Sequence, residues 1–284
     1  MRFLVTAGNT RQPIDRVRDW GNVFTGNTGY AIARTLMELG EVDLLTSNRT
    51  HLAEIAAAAN PRLRGQAFST HAELKEALQQ AMNATVLADN GDVSEHRHRG
   101  LEARATTLSR AEAPPGNSVS PQTTTRSNYD AVFMTAAVAD YTPDGTYTIV
   151  ERQCLNDGIT EKWTVRNVQA GKVKSSYDRI AVVGKRTEKL VDLFRKSWGY
   201  RGMLVKFKLE VGLEVDELLK IGENSRLASG ADYLVANTLE MVNGLKPGAY
   251  LLRTGGHEWV DRDRLPSRLA QLVGEHYQTV RRMQ

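Results

Sequence analysis

Two short glycine-bearing turns near the start of the chain carry the residue types from which a phosphate seat is made. Gly8-Asn9-Thr10 follows the apolar run Phe3-Leu4-Val5. Thr25-Gly26-Asn27-Thr28-Gly29 opens a segment in which Ile32, Ala33, Leu36, Met37 and Leu39 recur at helical spacing. A strand ending in the first turn and a helix starting in the second would put free backbone N–H groups at the carboxyl edge of a sheet. Such a helix start attracts anions. Asp15, Arg16, Arg18 and Asp19 lie between the turns, and Arg18 is a further candidate for an anion. Lys172 and Lys174 alternate, so they share one side of an extended stretch, and Ser175 and Ser176 follow. Two cations and two hydroxyls in that order suit a chain of phosphates. Asp140 follows the small residues Ala136, Ala137 and Ala139, which let a ligand approach the backbone. At a strand's carboxyl end, Asp140 is also the candidate to hold Mg²⁺ through water.

Other chemistries lack their residues. Gly8, Gly26 and Gly29 form neither GxGxxG nor GxxxxGK[ST], so a nicotinamide or P-loop assignment would rest on fold analogy alone. Asp43 falls within its strand, not after it where a ribose-binding carboxylate belongs. Cys154 is the single cysteine, which excludes an internal disulfide and a multi-cysteine metal site. No serine or cysteine nucleophile comes with a matching histidine arrangement.

The elements that position these residues alternate. Val42–Thr46 reads as a strand and the alanine-rich segment from His51 as a helix that Pro61 stops. Gln66–Phe68 reads as a short strand, with Ser69 or Thr70 capping a helix over Ala72–Met82. Tyr129–Thr135, Met203–Glu210 and Tyr233–Asn237 supply further strands, and Glu214–Ser229 a helix. Repeated βα alternation predicts an α/β fold, a doubly wound, mostly parallel Rossmann-like sheet. Residues 92–128, with Pro114-Pro115-Gly116 and a Thr/Ser/Gln-rich run, break the rhythm and read as a flexible excursion. Residues of about 144–170 read as an antiparallel arm outside the sheet, suited to pairing with a second subunit.

A chain of 284 residues buries about three quarters of its unfolded surface, enough for a substantial core. Its 41% hydrophobic and 25% charged residues are those of ordinary globular proteins. A net charge of +4 attracts anionic metabolites but is too diffuse to argue for nucleic acid. No apolar run approaches the roughly 20 residues of a membrane span, and Met1-Arg2 leads straight into the first strand, so the expected location is cytoplasmic.

Six segments in order, LVTAGNTRQPIDRVR (4–18), TGNTGYAIA (25–33), TAAVADYTP (135–143), GKVKSS (171–176), VKFKLEVG (205–212) and ADYLVAN (231–237), resemble phosphopantothenate–cysteine ligase, or phosphopantothenoylcysteine synthetase. The likeness is to its free-standing form and implies one ligase domain over 1–284. It implies that CTP or ATP with Mg²⁺ activates 4′-phosphopantothenate, and that cysteine's amine then attacks to give 4′-phosphopantothenoylcysteine in coenzyme A biosynthesis. It further implies a homodimer, no flavin, and a functional link to a separate phosphopantothenoylcysteine decarboxylase. By the same resemblance Asn22, Lys172 and Lys174 carry catalysis. Gly8, Asn9, Thr10, Arg18, Thr25, Gly26, Asn27, Gly29, Ala137, Ala139, Asp140, Ser175, Phe207, Lys208 and Asn237 would bind substrate or nucleotide.

Phe24, Asn27 and Ser175 depart from the family pattern, where small hydroxyl or basic residues are usual. Two rival readings stand beside the ligase: an NAD(P)-dependent Rossmann-like oxidoreductase, and a non-catalytic nucleotide-binding paralogue.

Overall fold

The computed structural model describes residues 1–83 and 129–283, so the predicted excursion at 92–128 lies outside the described residues. The chain begins with β1 (Arg2–Ala7), a small hairpin of β2 (Arg11–Pro13) and β3 (Asp19–Gly21), and α1 (Asn27–Leu36). β4 (Glu41–Thr46), α2 (Arg49–Ala58), β5 (Leu63–Ala67) and α3 (His71–Asn83) continue the alternation. After β6 (Ala131–Met134) come the arm strands β7 (Tyr141–Cys154), β8 (Glu161–Asn167) and β9 (Ile180–Arg186). The chain returns to the sheet through α4 (Leu190–Lys196), β10 (Met203–Glu210), α5 (Val215–Ser229) and β11 (Tyr233–Thr238). It ends with α6 (Leu239–Asn243), β12 (Gly248–Arg253), β13 (Gly256–Asp261) and α7 (Leu265–Met283).

The main sheet has the order β13-β12-β11-β10-β6-β1-β4-β5. All its pairings from β5 across to β11 are parallel, and β12 and β13 close the far edge antiparallel. The expected doubly wound, mostly parallel sheet is thus the one observed. Its central strands are apolar on both faces, as strands covered on two sides must be. In β1, Phe3, Val5 and Ala7 pack with Ile32, Leu36, Leu269 and Val273, while Leu4 faces Leu74, Leu78 and Phe194. The α3 start follows from a reciprocal cap: Thr70 Oγ1 accepts from Glu73 N at 3.2 Å, and Glu73 Oε2 accepts from Ser69 N at 2.7 Å.

Strands are added outward from β1 first through β4 and β5, then through β6, β10 and β11, so the order reverses between β1 and β6. A crevice opens beyond the carboxyl ends at such a reversal. An isolated parallel bridge, Asn9 with Ala137, extends the β1–β6 pairing into that crevice.

The arm is a three-stranded antiparallel sheet, β8-β7-β9. The short alternating pieces read around residues 147–150 belong to one 14-residue strand, β7, whose register shifts between Pro143 and Gly145 and again between Ile149 and Glu151. Such irregularities bend and twist a strand, and they let Pro143 sit in it without a broken ladder. Among the described residues no helix is long and apolar enough to cross a membrane.

Candidate functional site

The two glycine turns meet at the reversal point. Gly26 has φ 82° and caps α1 with no side-chain hydrogen bond, leaving the first amides of the helix to a ligand. A Cβ at Gly26 would fall onto the Gly8 amide and lie 2.7 Å from Gly8 Cα, so nothing larger than glycine fits. One turn on, a Cβ at Gly29 would lie 2.9 Å from both Ala7 Cβ and Thr6 O, which presses the helix start onto the end of β1.

A cavity of about 250 Å³ opens over this contact. One wall is Gly8, Phe24–Gly29 and Thr135–Ala137; the other is Phe207–Leu209, Val235, Asn237, Val242, Arg262 and their neighbours. Its charged side chains are Lys208 and Arg262; none of its lining residues is Asp, Glu, His or Cys. Lys208 is paired with Glu210 at 2.8 Å.

The loop from Asn9 to Phe24 is held by amide side chains. Asn9 Nδ2 donates to Phe24 O at 3.1 Å and also to Asn22 O, while Asn22 Nδ2 donates to Ala137 O at 3.2 Å. Thr10 is buried: its amide donates to Ala137 O at 3.1 Å, and its hydroxyl accepts from Ala139 N at 2.8 Å. It shapes the wall from behind.

Other predicted site residues lie elsewhere. Arg18 donates to Asp15 Oδ2 at 2.5 Å and to Val173 O at 2.8 Å. The Arg18 hydrogen bond, with backbone donors including the Val173 amide, holds the Asp15 carboxyl well below the usual carboxylate range. This cluster pins the loop of residues 171–176 to the turn of residues 14–18. Val173 is buried there, whereas Lys172, Lys174 and Ser175 point to solvent and do not line the cavity. Asp140 is exposed, and among the described residues no group of three or more His, Cys, Asp or Glu side chains gathers to hold a metal. Asp43 belongs to a cluster in which Tyr129 Oη donates at 2.6 Å and Arg2 Nη2 at 2.8 Å. Burial would raise its carboxyl, but Tyr129, Arg64 and Arg2 together hold it low, and the cluster ties Arg2 of β1 and Arg64 of β5 to β4.

Sequence reading missed Asn48, His51 and Arg262. Asn48 Nδ2 donates to Thr25 O at 3.0 Å, and His51 Nε2 meets Asn27 Oδ1 at 3.1 Å, so both brace the glycine turn. The signal available was the polar Ser47-Asn48-Arg49 at the end of β4, the same edge as the turns. Arg262 follows β13, too far along the chain for any local pattern to link it to Gly8.

The first 106 residues match the model of a family described as the DNA/pantothenate metabolism flavoprotein C-terminal domain. A coenzyme A biosynthesis bifunctional protein CoaBC from Mycolicibacterium smegmatis is 46% identical over 57 residues, 20% of this chain and 14% of that protein. The chain therefore spans a small part of the curated relative it matches. A DNA/pantothenate metabolism flavoprotein from Streptococcus pneumoniae superimposes with a TM-score of 0.66 at 24% identity, covering 99% of both chains. A Cab2 mutant in complex with phosphopantothenate-cysteine gives a TM-score of 0.57 at 13% identity, covering 98% of this chain and 88% of that one. At these identities the structures share the fold.

These findings correct the functional reading. The likeness is to the C-terminal domain of a flavoprotein and to part of a bifunctional protein, in place of a free-standing phosphopantothenate–cysteine ligase. None of these descriptions names a ligase, C–N bond formation, CTP, ATP or Mg²⁺, and those assignments are withdrawn. The expectation of no flavin is overturned by the family's description as a flavoprotein, and that of a separate decarboxylase partner by the bifunctional relative. The physical reason is that a glycine turn at a helix start recognises phosphate, and phosphate does not tell a nucleotide from a pantothenoyl or a flavin compound. Of a flavin, the residues present fit only the phosphate. The lining offers no carboxylate, imidazole or thiol to the polar edge of a flavin ring.

Proposed function

We propose that the cleft binds a phosphorylated pantothenoyl compound of the phosphopantothenoylcysteine class, and that the chain serves coenzyme A biosynthesis in that capacity. The observation that carries this reading is the apposition of Gly26 and Gly8, which leaves the start of α1 open to a phosphate. Ala137 and Asn237 then offer polar groups along the cleft suited to the amides of a pantothenoyl arm, while Asn22 holds the Ala137 carbonyl from the neighbouring groove. Gly8, Thr25, Gly26, Asn27, Gly29, Phe207 and Lys208 complete the proposed contacts. The pantothenate family match and the ligand held by the Cab2 mutant support the same chemistry.

A second reading, a flavin mononucleotide whose phosphate takes the same seat, is favoured by the family description alone. Calorimetric titration with phosphopantothenoylcysteine, its dephosphorylated form and flavin mononucleotide separates the two. The proposal expects the first to bind and the second to bind at least tenfold more weakly. Stoichiometric flavin binding with no response to phosphopantothenoylcysteine would replace it with the second reading.

A further inference from the structure

His51 is 3% exposed, although it sits beside the cavity wall. Its ring stacks on Tyr30 with centroids 4.3 Å apart and planes inclined by 14°. Thr46 Oγ1 accepts from Asn48 N at 3.1 Å, which leaves its hydroxyl proton for His51 Nδ1 at 3.3 Å. Nδ1 is then the acceptor, and the ring proton resides on Nε2. Asn48 Nδ2, 3.3 Å from Nε2, directs one of its two protons to Thr25 O at 3.0 Å, whereas Asn27 Oδ1, only an acceptor, faces Nε2 at 3.1 Å. The Nε2 proton is therefore directed at Asn27 Oδ1, 3.1 Å away.

That contact settles which way the Asn27 carboxamide faces. With Oδ1 turned to His51, the amide nitrogen has no protein partner among the described residues, and Asn27 lines the cavity. We propose that His51 is a positioning residue that turns the Asn27 amide nitrogen toward the cleft, where it donates to an oxygen of the bound ligand. The inference rests on the cleft being a ligand site, and it adds a donor that the backbone seat does not supply. Burial lowers the His51 pKa, with Glu54 opposing, so the neutral ring that this arrangement needs is favoured.

Two measurements test it. Long-range nitrogen–proton spectra of the ligand-free protein with labelled histidine should show His51 protonated at Nε2; protonation at Nδ1 would overturn the proposal. His51→Phe keeps a ring against Tyr30 but removes the donor, whereas His51→Gln restores an amide donor. Phosphopantothenoylcysteine should bind about fivefold to tenfold more weakly to His51→Phe. The Asn27 side-chain amide resonances should shift in that variant and return toward wild type in His51→Gln. Equal affinity and unmoved Asn27 resonances in His51→Phe would overturn the proposal. Should wild-type protein fail to bind phosphopantothenoylcysteine, the functional reading falls, while the tautomer and the Asn27 resonances still decide the role of His51.

Discussion

Gly26 rests on Gly8 so closely that a single methyl group cannot be placed between the two turns. The contact joins the end of β1 to the start of α1 and gives the cleft its floor. Gly26→Ala meets both a left-handed φ and a backbone collision, neither of which a neighbouring side chain can relieve. The expected cost is on the order of 2–4 kcal/mol. A urea midpoint unchanged from wild type would show that the two turns are not packed as described.

Thr10 was expected among the ligand contacts, yet its hydroxyl is committed to Ala139 N. Thr10→Val preserves shape and leaves that buried amide without an acceptor. A loss of about 1–3 kcal/mol in stability is expected. Rapid hydrogen exchange at Ala139 in the variant checks the assignment; unchanged protection contradicts it.

Asp15 ties the loop of residues 171–176 to the turn of residues 14–18. Its carboxyl is held below the usual range, so its contribution is full at neutral pH and is lost progressively as pH falls from about 4 toward the folded-state value. Carboxyl-carbon NMR should show Asp15 ionised at pH 3, and Asp15→Asn should expose the Val173 amide to exchange. An Asp15 that titrates near 4 contradicts the cluster.

Lys206 lies within β10, and its Nζ donates to Ser225 O at 3.1 Å and Ser225 Oγ at 3.0 Å. Burial lowers its pKa to about 8, below the roughly 10.4 of an unfolded chain. Between these values the unfolded state binds more protons, so this residue makes stability rise with pH from about 8 to 10. Urea midpoints measured across that interval should climb in wild type relative to Lys206→Met. Parallel curves would contradict the assignment.

The βα alternation and the central glycine turns were legible because they are local: strand periodicity, a polar turn, a helix start. Gly8, Gly26, Asn27 and Gly29 therefore meet as expected, and Phe207, Lys208 and Asn237 reach the same cleft from β10 and β11. Lys172 and Lys174 were misjudged because alternation shows that two side chains share a side but not what that side faces. Val173 between them carries the packing. His51 escaped notice since a lone histidine in an alanine-rich helix looks like surface, whereas here it stacks on Tyr30 and meets Asn27 at the α1 start. The choice of reaction went furthest astray, because a phosphate seat identifies one group of a ligand and leaves the rest open.

The most direct test is a crystal structure with phosphopantothenoylcysteine. The ligand's phosphate is predicted to lie over the backbone amides at the start of α1, within hydrogen-bond reach of Asn27–Gly29. Its pantothenoyl arm is predicted to run past Ala137 and Asn237. A phosphate found instead in the polar groove beyond Phe24, among Ser47, Arg49 and Ser69, would contradict the account.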